Sequence, residues 1–138
     1  MGEHGTFKVH LWTEPYGLAT LSGVPALTSW LLPEGPPVSL VVGHGEVSVF
    51  GPESVIDALG DAVVRHDRGW RALTFDAVFP LTTIGLLAAA TRALAEVGVP
   101  VMAFSSHATD HLLVPGKHIG RALAALGQAR LERFVTPG

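Results

Sequence analysis

Runs of apolar residues, separated by glycine and proline, divide the chain into short strands and a few helices. Alternating or continuous apolar stretches of about four to eight residues predict strands, and apolar positions three and four apart predict amphipathic helices. Strands are therefore predicted at Phe7 to Thr13, Tyr16 to Leu21, Val38 to Val42, Glu46 to Phe50, Trp70 to Phe75, Val99 to Ser105 and His111 to Val114, with a last edge strand at Arg130 to Val135.

Helices are predicted where proline or threonine precedes a periodic apolar stripe. The first begins at Gly51-Pro52-Glu53 and runs to about Val64, the second is capped by Thr82 or Thr83 and closed by Gly98, and the third starts at Pro115 and ends before Gly127. Prolines lie at both ends of the segment from Val24 to Leu32, so at most a short helix is expected there.

One hairpin is visible in the sequence alone. The strands from Val38 to Val42 and from Glu46 to Phe50 are joined by Gly43-His44-Gly45. Glycines permit the positive φ angles of a tight turn, and His44 is interpreted as a turn residue.

The same order of elements occurs twice along the chain. Each half can be written as a strand, a crossover, a hairpin and a helix, with a degenerate crossover in the first half. This order predicts an α+β fold with antiparallel sheets and helices on one face. The predicted units are residues 1–66 and 67–138, and because the halves share no visible sequence similarity, only the element order repeats.

Composition narrows the possible functions. The 138 residues are 48% hydrophobic and 15% charged, which is enough apolar material for a real core. The net charge of −3 and the scattered lysines and arginines argue against a nucleic-acid partner. No apolar run is long enough to cross a bilayer, so no membrane partner and a cytoplasmic location are expected. The absence of cysteine excludes disulfides and thiolate chemistry.

Four segments of the second half resemble a known family. They are Gly69 to Leu73, Leu81 to Ala88, Ala95 to Val101 and, above all, Phe104 to Val114. In order and spacing they are similar to the small bacterial double-ACT proteins related to the CASTOR arginine sensors and to aspartokinase regulatory domains. The resemblance implies tandem ACT-like units of the ferredoxin-like βαββα type.

The resemblance also implies a ligand site at the interface of two ACT units, formed by a helix-opening loop and a hairpin turn. The matching residues are Thr82, Thr83, Ile84 and Gly85 in the loop and Ser105, Ser106, His107, Thr109 and Asp110 at the turn. An amino-acid ligand carries an ammonium and a carboxylate. Asp110 would accept the ammonium, and free N–H groups at the helix N-terminus would take the carboxylate.

Several of these residues also have simpler interpretations. Asp110 can be a turn residue that bonds its own backbone, Thr82 or Thr83 can be only a helix cap, and Ser105 and Ser106 can satisfy local backbone groups. The turn also departs from the family's sequence pattern, because His107 occupies a position where tyrosine is common and His111 one where an aromatic residue is common.

The sequence gives little support for a metal site or a catalytic site. His107, Asp110 and His111 resemble a metal-ligand spacing, but strand geometry need not place both histidines on one side, and no HExxH helix accompanies them. Ser105, His107 and Asp110 fall within one turn, without a nucleophile elbow. The sequence contains no phosphate-cradling loop. We therefore expect no metal, no cofactor and no catalytic residue.

Two functions remain open. The first is a regulatory or sensor protein that binds a small molecule, an amino acid in particular. The second is a ligand-free dimerisation or protein-interaction module. A homodimer is expected in either case, since ACT-like sheets present open edges and few lysines are available to block them.

Overall fold

The computed structural model describes residues 8–26, 31–77 and 83–134. The strands in these ranges are β1 (Val9–Leu11), β2 (Tyr16–Leu21), β3 (Ser39–Gly43), β4 (Glu46–Pro52), β5 (Val63–Phe75), β6 (Met102–Ser105) and β7 (Asp110–Pro115). The helices are α1 (Glu53–Asp57), α2 (Leu86–Glu96) and α3 (Ile119–Gln128), with short 3-10 helices at Gly60–Ala62, Gly116–His118 and Leu131–Phe134. None of the helices described in this way is long and apolar enough to cross a membrane.

The chain forms two compact units that are nested in sequence. Thr13–Trp70 form the inserted unit, and Met1–Trp12 together with Arg71–Gly138 form the outer unit. The predicted boundary between residues 66 and 67 therefore differs from the observed grouping of the first twelve residues. The reason is that β1 pairs with the end of β5, with Val9 opposite Phe75 and Leu11 opposite Leu73.

The inserted unit has the strand order β3-β4-β2-β5, and each of these neighbouring strands pairs with the next in antiparallel orientation. Its core contains Ala19, Leu21, Val49 and Ile56, and Val38, Val47, Leu59 and Val63 pack against them. The predicted hairpin is present as β3 and β4. The turn between these strands has positive φ at His44 (53°) and Gly45 (76°), as a tight two-residue turn requires.

In the outer unit, β5 lies between β1 and β7, and β6 lies beyond β7. Leu73 and Phe75 of β5 alternate with residues of the opposite face, as do Leu112 and Val114 of β7. These four side chains share one buried cluster with Leu86, Ala90 and Leu94 of α2 and Ala122 and Leu126 of α3. The helices therefore cover one face of the strands, which confirms the predicted α+β class with antiparallel strands.

The first predicted helix is much shorter than expected. It ends at Asp57 instead of near Val64, and β5 begins at Val63, seven residues before the predicted strand. Gly60 breaks the helical path with a φ of 57°. The chain after it pairs with β2, where Val63 lies opposite Leu21.

The predicted C-terminal edge strand is wrong over its described part. Arg130 has a φ of 53° and Leu131–Phe134 form a 3-10 helix. Leu131 is buried in the outer core, which draws this segment onto the helices.

The predicted abbreviated helix at Val24 to Leu32 falls partly outside the described residues, and positions 24–26 and 31–32 are not helical. Elsewhere β6 begins at Met102 instead of Val99, and β1 is confined to Val9–Leu11.

Candidate functional site

The predicted hairpin turn lies between β6 and β7 in the outer unit. Ser105, the last residue of β6, is paired with Asp110, the first residue of β7. The four residues between them close a tight turn, because the amide N–H of Ser106 donates to the carbonyl oxygen of Thr109 at 2.9 Å. The hydroxyl of Ser106 donates to the same oxygen at 3.3 Å. His107 is exposed in this turn.

Asp110 places a half-buried carboxylate beside the turn. The hydroxyl of Ser105 donates to its Oδ1 at 2.5 Å, a short hydrogen bond of the charge-assisted kind. Within residues 8–26, 31–77 and 83–134, no lysine or arginine forms an ion pair with Asp110. Among these residues, the one side-chain hydrogen bond that Asp110 accepts is therefore the one from Ser105.

His111, the next residue along β7, is buried, with 7% of its surface exposed. Its Nδ1 lies 2.9 Å from Oγ1 of Thr74, and its Nε2 lies 3.2 Å from Oγ of Ser106. The indole N–H of Trp12 donates to Thr74 Oγ1 at 2.8 Å. The Phe104 ring lies 5.0 Å from the imidazole, centroid to centroid.

These contacts define one direction for the hydrogen bonds. Because Ser106 donates to the Thr109 carbonyl, its oxygen is left to accept a proton from His111 Nε2. Nδ1 then accepts from Thr74, whose oxygen accepts from Trp12. Every member of this chain is satisfied when His111 is neutral. Burial lowers the pKa of His111, and the nearby negative charge of Asp110 opposes that shift.

The turn is also tied to the end of β5. The hydroxyl of Thr109 donates to the carbonyl oxygen of Phe75, the last residue of β5, at 2.7 Å. The segment that leads from β5 to α2 therefore starts beside the turn.

Helix α2 begins later than the sequence predicted. Gly85, and not a threonine, is the N-cap residue; it has a left-handed φ of 93°, and no side chain caps the helix. Thr83 is half-buried, and Ile84 is 88% exposed. A Cβ atom at Gly85 would lie 3.2 Å from the Phe134 ring, which is a second reason for glycine here. Thr82 lies outside the described residues.

The structure thus brings Ser105, Ser106, Thr109 and Asp110 together around one turn. It gives no direct contact from Thr83, Ile84 or Gly85 to that turn among the residues it describes. The same part of the chain contains no group of three or more histidine or acidic residues placed to hold a metal ion.

Sequence reasoning missed Thr74 and Trp12. Thr74 is the polar residue between buried Leu73 and Phe75. This alternation indicates that it faces away from the helices, but not what it bonds. Trp12 is 62 residues away from Thr74 in sequence, and no spacing signal connects such positions.

Comparisons with known proteins agree with the fold. Residues 65–128 match the family described as the ACT domain. A crystal structure of a protein from Agobacterium tumefaciens is 26% identical, with a TM-score of 0.71 over 91% of this chain and 90% of that one. A protein of unknown function from Vibrio cholerae, described as a possible transport protein, is 23% identical, with a TM-score of 0.64 over 86% and 85%.

The ligand-free regulatory subunit of aspartate kinase from Thermus thermophilus has the same fold. It is 16% identical, with a TM-score of 0.61 over 89% of this chain and 97% of that one. No curated protein sequence matches this chain at a significant level. The matched segment contains the turn from Ser105 to Asp110 and both helices α2 and α3. Residues 65–128 of this chain are therefore similar to the ACT domain family, and the chain shares its fold with the solved structures named above.

Proposed function

We propose that this chain is a non-catalytic regulatory protein that binds an amino acid at the turn between β6 and β7. One observation carries the proposal: Asp110 is a half-buried carboxylate with a single hydroxyl donor and no cationic partner among the described residues. A carboxylate in this position gains most from a ligand ammonium, because charge-assisted hydrogen bonds are the strong ones. The ACT domain match and the likeness to an aspartate kinase regulatory subunit support a regulatory role.

The start of α2 supplies the complementary group. Its first-turn N–H groups have no side-chain cap, and the positive end of the helix favours an anion. In this proposal Asp110 takes the ligand ammonium, and the N–H groups after Gly85 take the ligand carboxylate. Ser105, Ser106 and Thr109 shape the turn, and His107 stands at its exposed side. That the ligand lies at an interface between ACT units stays a prediction.

A second function is a protein-interaction module without a small ligand. The observation that favours it is the exposure of Ile84, 88% of whose surface is open beside the start of α2. An exposed isoleucine at the start of α2 is open to contact with a protein partner. The two functions differ in their response to free amino acids.

The test is a thermal-shift screen of the full chain against the twenty proteinogenic amino acids. A ligand at about one hundred times its Kd stabilises the folded state by about 2.7 kcal/mol, which raises the melting temperature of a protein of this size by several degrees. Asp110→Ala should remove this shift. Asp61→Ala, a change of the same kind at an exposed position of the inserted unit, should retain it.

Each outcome decides between the functions. A response by the unaltered chain that Asp110→Ala loses and Asp61→Ala keeps supports the amino-acid site. A response that Asp110→Ala retains in full places the ligand elsewhere. If no amino acid shifts the melting temperature of the unaltered chain, the amino-acid proposal is wrong and the interaction module is favoured.

A further inference from the structure

Two side-chain hydrogen bonds fix parts of the turn between β6 and β7 without involving a histidine. The hydroxyl of Thr109 donates to the carbonyl oxygen of Phe75, and the hydroxyl of Ser105 donates to the carboxylate of Asp110. Histidine is the side chain whose ordinary pKa makes it change charge between about pH 5 and 8. These two bonds are therefore insensitive to pH near neutrality.

A third hydrogen bond of the turn comes from His111. Ser106 donates its hydroxyl proton to the carbonyl oxygen of Thr109, and its oxygen lies 3.2 Å from Nε2 of His111. The Ser106 side chain is therefore held from two sides, by the backbone of the turn and by a buried imidazole of β7. This is the bond of the turn that can respond to a proton.

Protonation would change what His111 offers to its neighbours. The neutral ring accepts a proton from Thr74 at Nδ1 and donates one to Ser106 at Nε2, whereas an imidazolium donates at both nitrogens. The hydroxyl proton of Thr74 would then lose its acceptor, and its oxygen already accepts from Trp12. The imidazolium would also place a positive charge beside Asp110, the carboxylate proposed to hold the ammonium of an amino acid.

We propose that His111 is a positioning residue for the amino-acid site, and that its neutral form is the form that permits binding. The neutral imidazole holds Ser106, and with it the turn that leads to Asp110. A proton on His111 disturbs that support and competes with the ammonium for the charge of Asp110, so acid releases the amino acid. This inference rests on the function proposed above, because it concerns the same turn.

The described groups around His111 explain how its proton is controlled. Burial lowers the pKa of His111, and the negative charge of Asp110 on the same strand opposes this shift. On β1, His10 lies edge-on against Trp12, with ring centroids 4.4 Å apart, and His107 is exposed in the turn. The imidazole also contacts two uncharged residues of β5 and β6, namely Thr74 and Phe104. Burial and the charge of Asp110 therefore govern this proton.

The pH dependence of binding tests the proposal on the full chain. The probe is an equimolar mixture of the twenty proteinogenic amino acids, which keep their α-ammonium and α-carboxylate charges from about pH 7.5 to about pH 5. The measured quantity is the concentration that gives half of the maximal thermal shift. It should rise as the pH falls, by up to about tenfold per pH unit below the folded pKa of His111, because only the neutral fraction binds.

Substitutions of His111 separate positioning from packing. His111→Gln retains an acceptor for Thr74 and a donor for Ser106, so it should bind like the unaltered chain near neutral pH and lose the pH dependence. His111→Phe retains an aromatic ring but neither hydrogen bond, so it should bind several-fold more weakly throughout the range. His44→Asn removes an exposed imidazole from the turn of the inserted unit and suits its positive φ; as the matched control it should keep the pH dependence.

Linkage gives a second readout that does not depend on the folding of a variant. If neutral His111 favours binding, then binding favours neutral His111. The same amino-acid mixture should therefore lower the titration midpoint of His111 in NMR spectra of the isotope-labelled unaltered chain.

The proposal is overturned if half-saturation of the unaltered chain does not change with pH, or if His111→Gln keeps the pH dependence. It is also overturned if His111→Phe binds as tightly as His111→Gln, or if the mixture leaves the titration midpoint of His111 unchanged. A chain that responds to the mixture at no pH contradicts the proposed function and this inference with it. A response that is equal at all pH values and that Asp110→Ala abolishes retains the proposed function and removes this inference alone.

Discussion

His111 is buried in a chain of hydrogen bonds that suits only its neutral form. A proton on Nδ1 would meet the hydroxyl proton that Thr74 donates to it. It would also place a positive charge in a buried position. The folded state therefore lowers the pKa of His111 from its usual 6.5. Because the unfolded chain binds this proton more readily, stability is fully present above the unfolded pKa and is lost as the pH falls through the folded pKa.

The melting temperature should accordingly fall between pH 7.5 and 5. His111→Gln keeps an acceptor for Thr74 and a donor for Ser106 but cannot titrate, so its melting temperature should fall less over the same range. His107→Gln, at an exposed position of the same turn, is the control and should follow the unaltered protein. Equal slopes for His111→Gln and the unaltered protein would show that His111 does not carry the effect.

At the scale of single elements, α3 contains two glycines that no packing requires. A Cβ atom at Gly120 or Gly127 would meet nothing within 4 Å, and neither residue has a positive φ. Since glycine costs a helix about 0.5 to 1 kcal/mol relative to alanine, Gly120→Ala and Gly127→Ala should each stabilise the fold by up to that amount.

Urea unfolding of each variant measures this effect. Gly60→Ala is the matched control, because Gly60 has a φ of 57°, and alanine there should destabilise the protein. A lower urea midpoint for both α3 variants would mean that the helix needs these glycines for a contact outside the described residues.

The elements that the sequence predicted well are those with local signals. The β3–β4 hairpin followed from Gly43 and Gly45, and the buried stripe of α2 followed from the spacing of Leu86, Ala90 and Leu94. The helix after β4 was overextended because its apolar residues continue to Val63 in helical spacing. Only the pairing of Val63 with Leu21 decides that this segment is a strand, and that pairing is not a local signal.

The candidate site shows the same contrast between features with a local sequence signal and features that depend on distant residues. The strands on either side were predicted from their apolar runs, and the hairpin turn between Ser105 and Asp110 was implied by the family resemblance. The contacts of Thr74 and Trp12 with it depend on strands that are distant in sequence. The late start of α2 at Leu86 follows from the backbone at Gly85 and the nearby Phe134 ring, which no capping rule foresees.

At the scale of the whole molecule, each unit has its own buried cluster, and β1 packs against the cluster of the outer unit. Val9 and Leu11 pack against the outer core, and Trp12 bonds Thr74. A chain lacking residues 1–12 should therefore lose amide protection in β7 and in the end of β5. Protection in β2 and β4 should be retained.

Hydrogen exchange followed by mass spectrometry measures both sets of strands in one experiment. Lys8→Ala, at an exposed residue before β1, is the control and should leave the exchange pattern unchanged. If the truncated chain loses protection equally in both units, the two cores are not separable, and the nested description of the chain fails as a description of its stability.

The nested order has a consequence for synthesis on the ribosome. Trp12 leaves the exit tunnel first, but Thr74, its bonding partner, follows 62 residues later. At about 5 to 20 residues per second this interval is about 3 to 12 s. The whole of the inserted unit emerges during this time, and it can fold before β1 has anything to pair with. β1 would then pair only after β2, β3 and β4, although these strands are made after it.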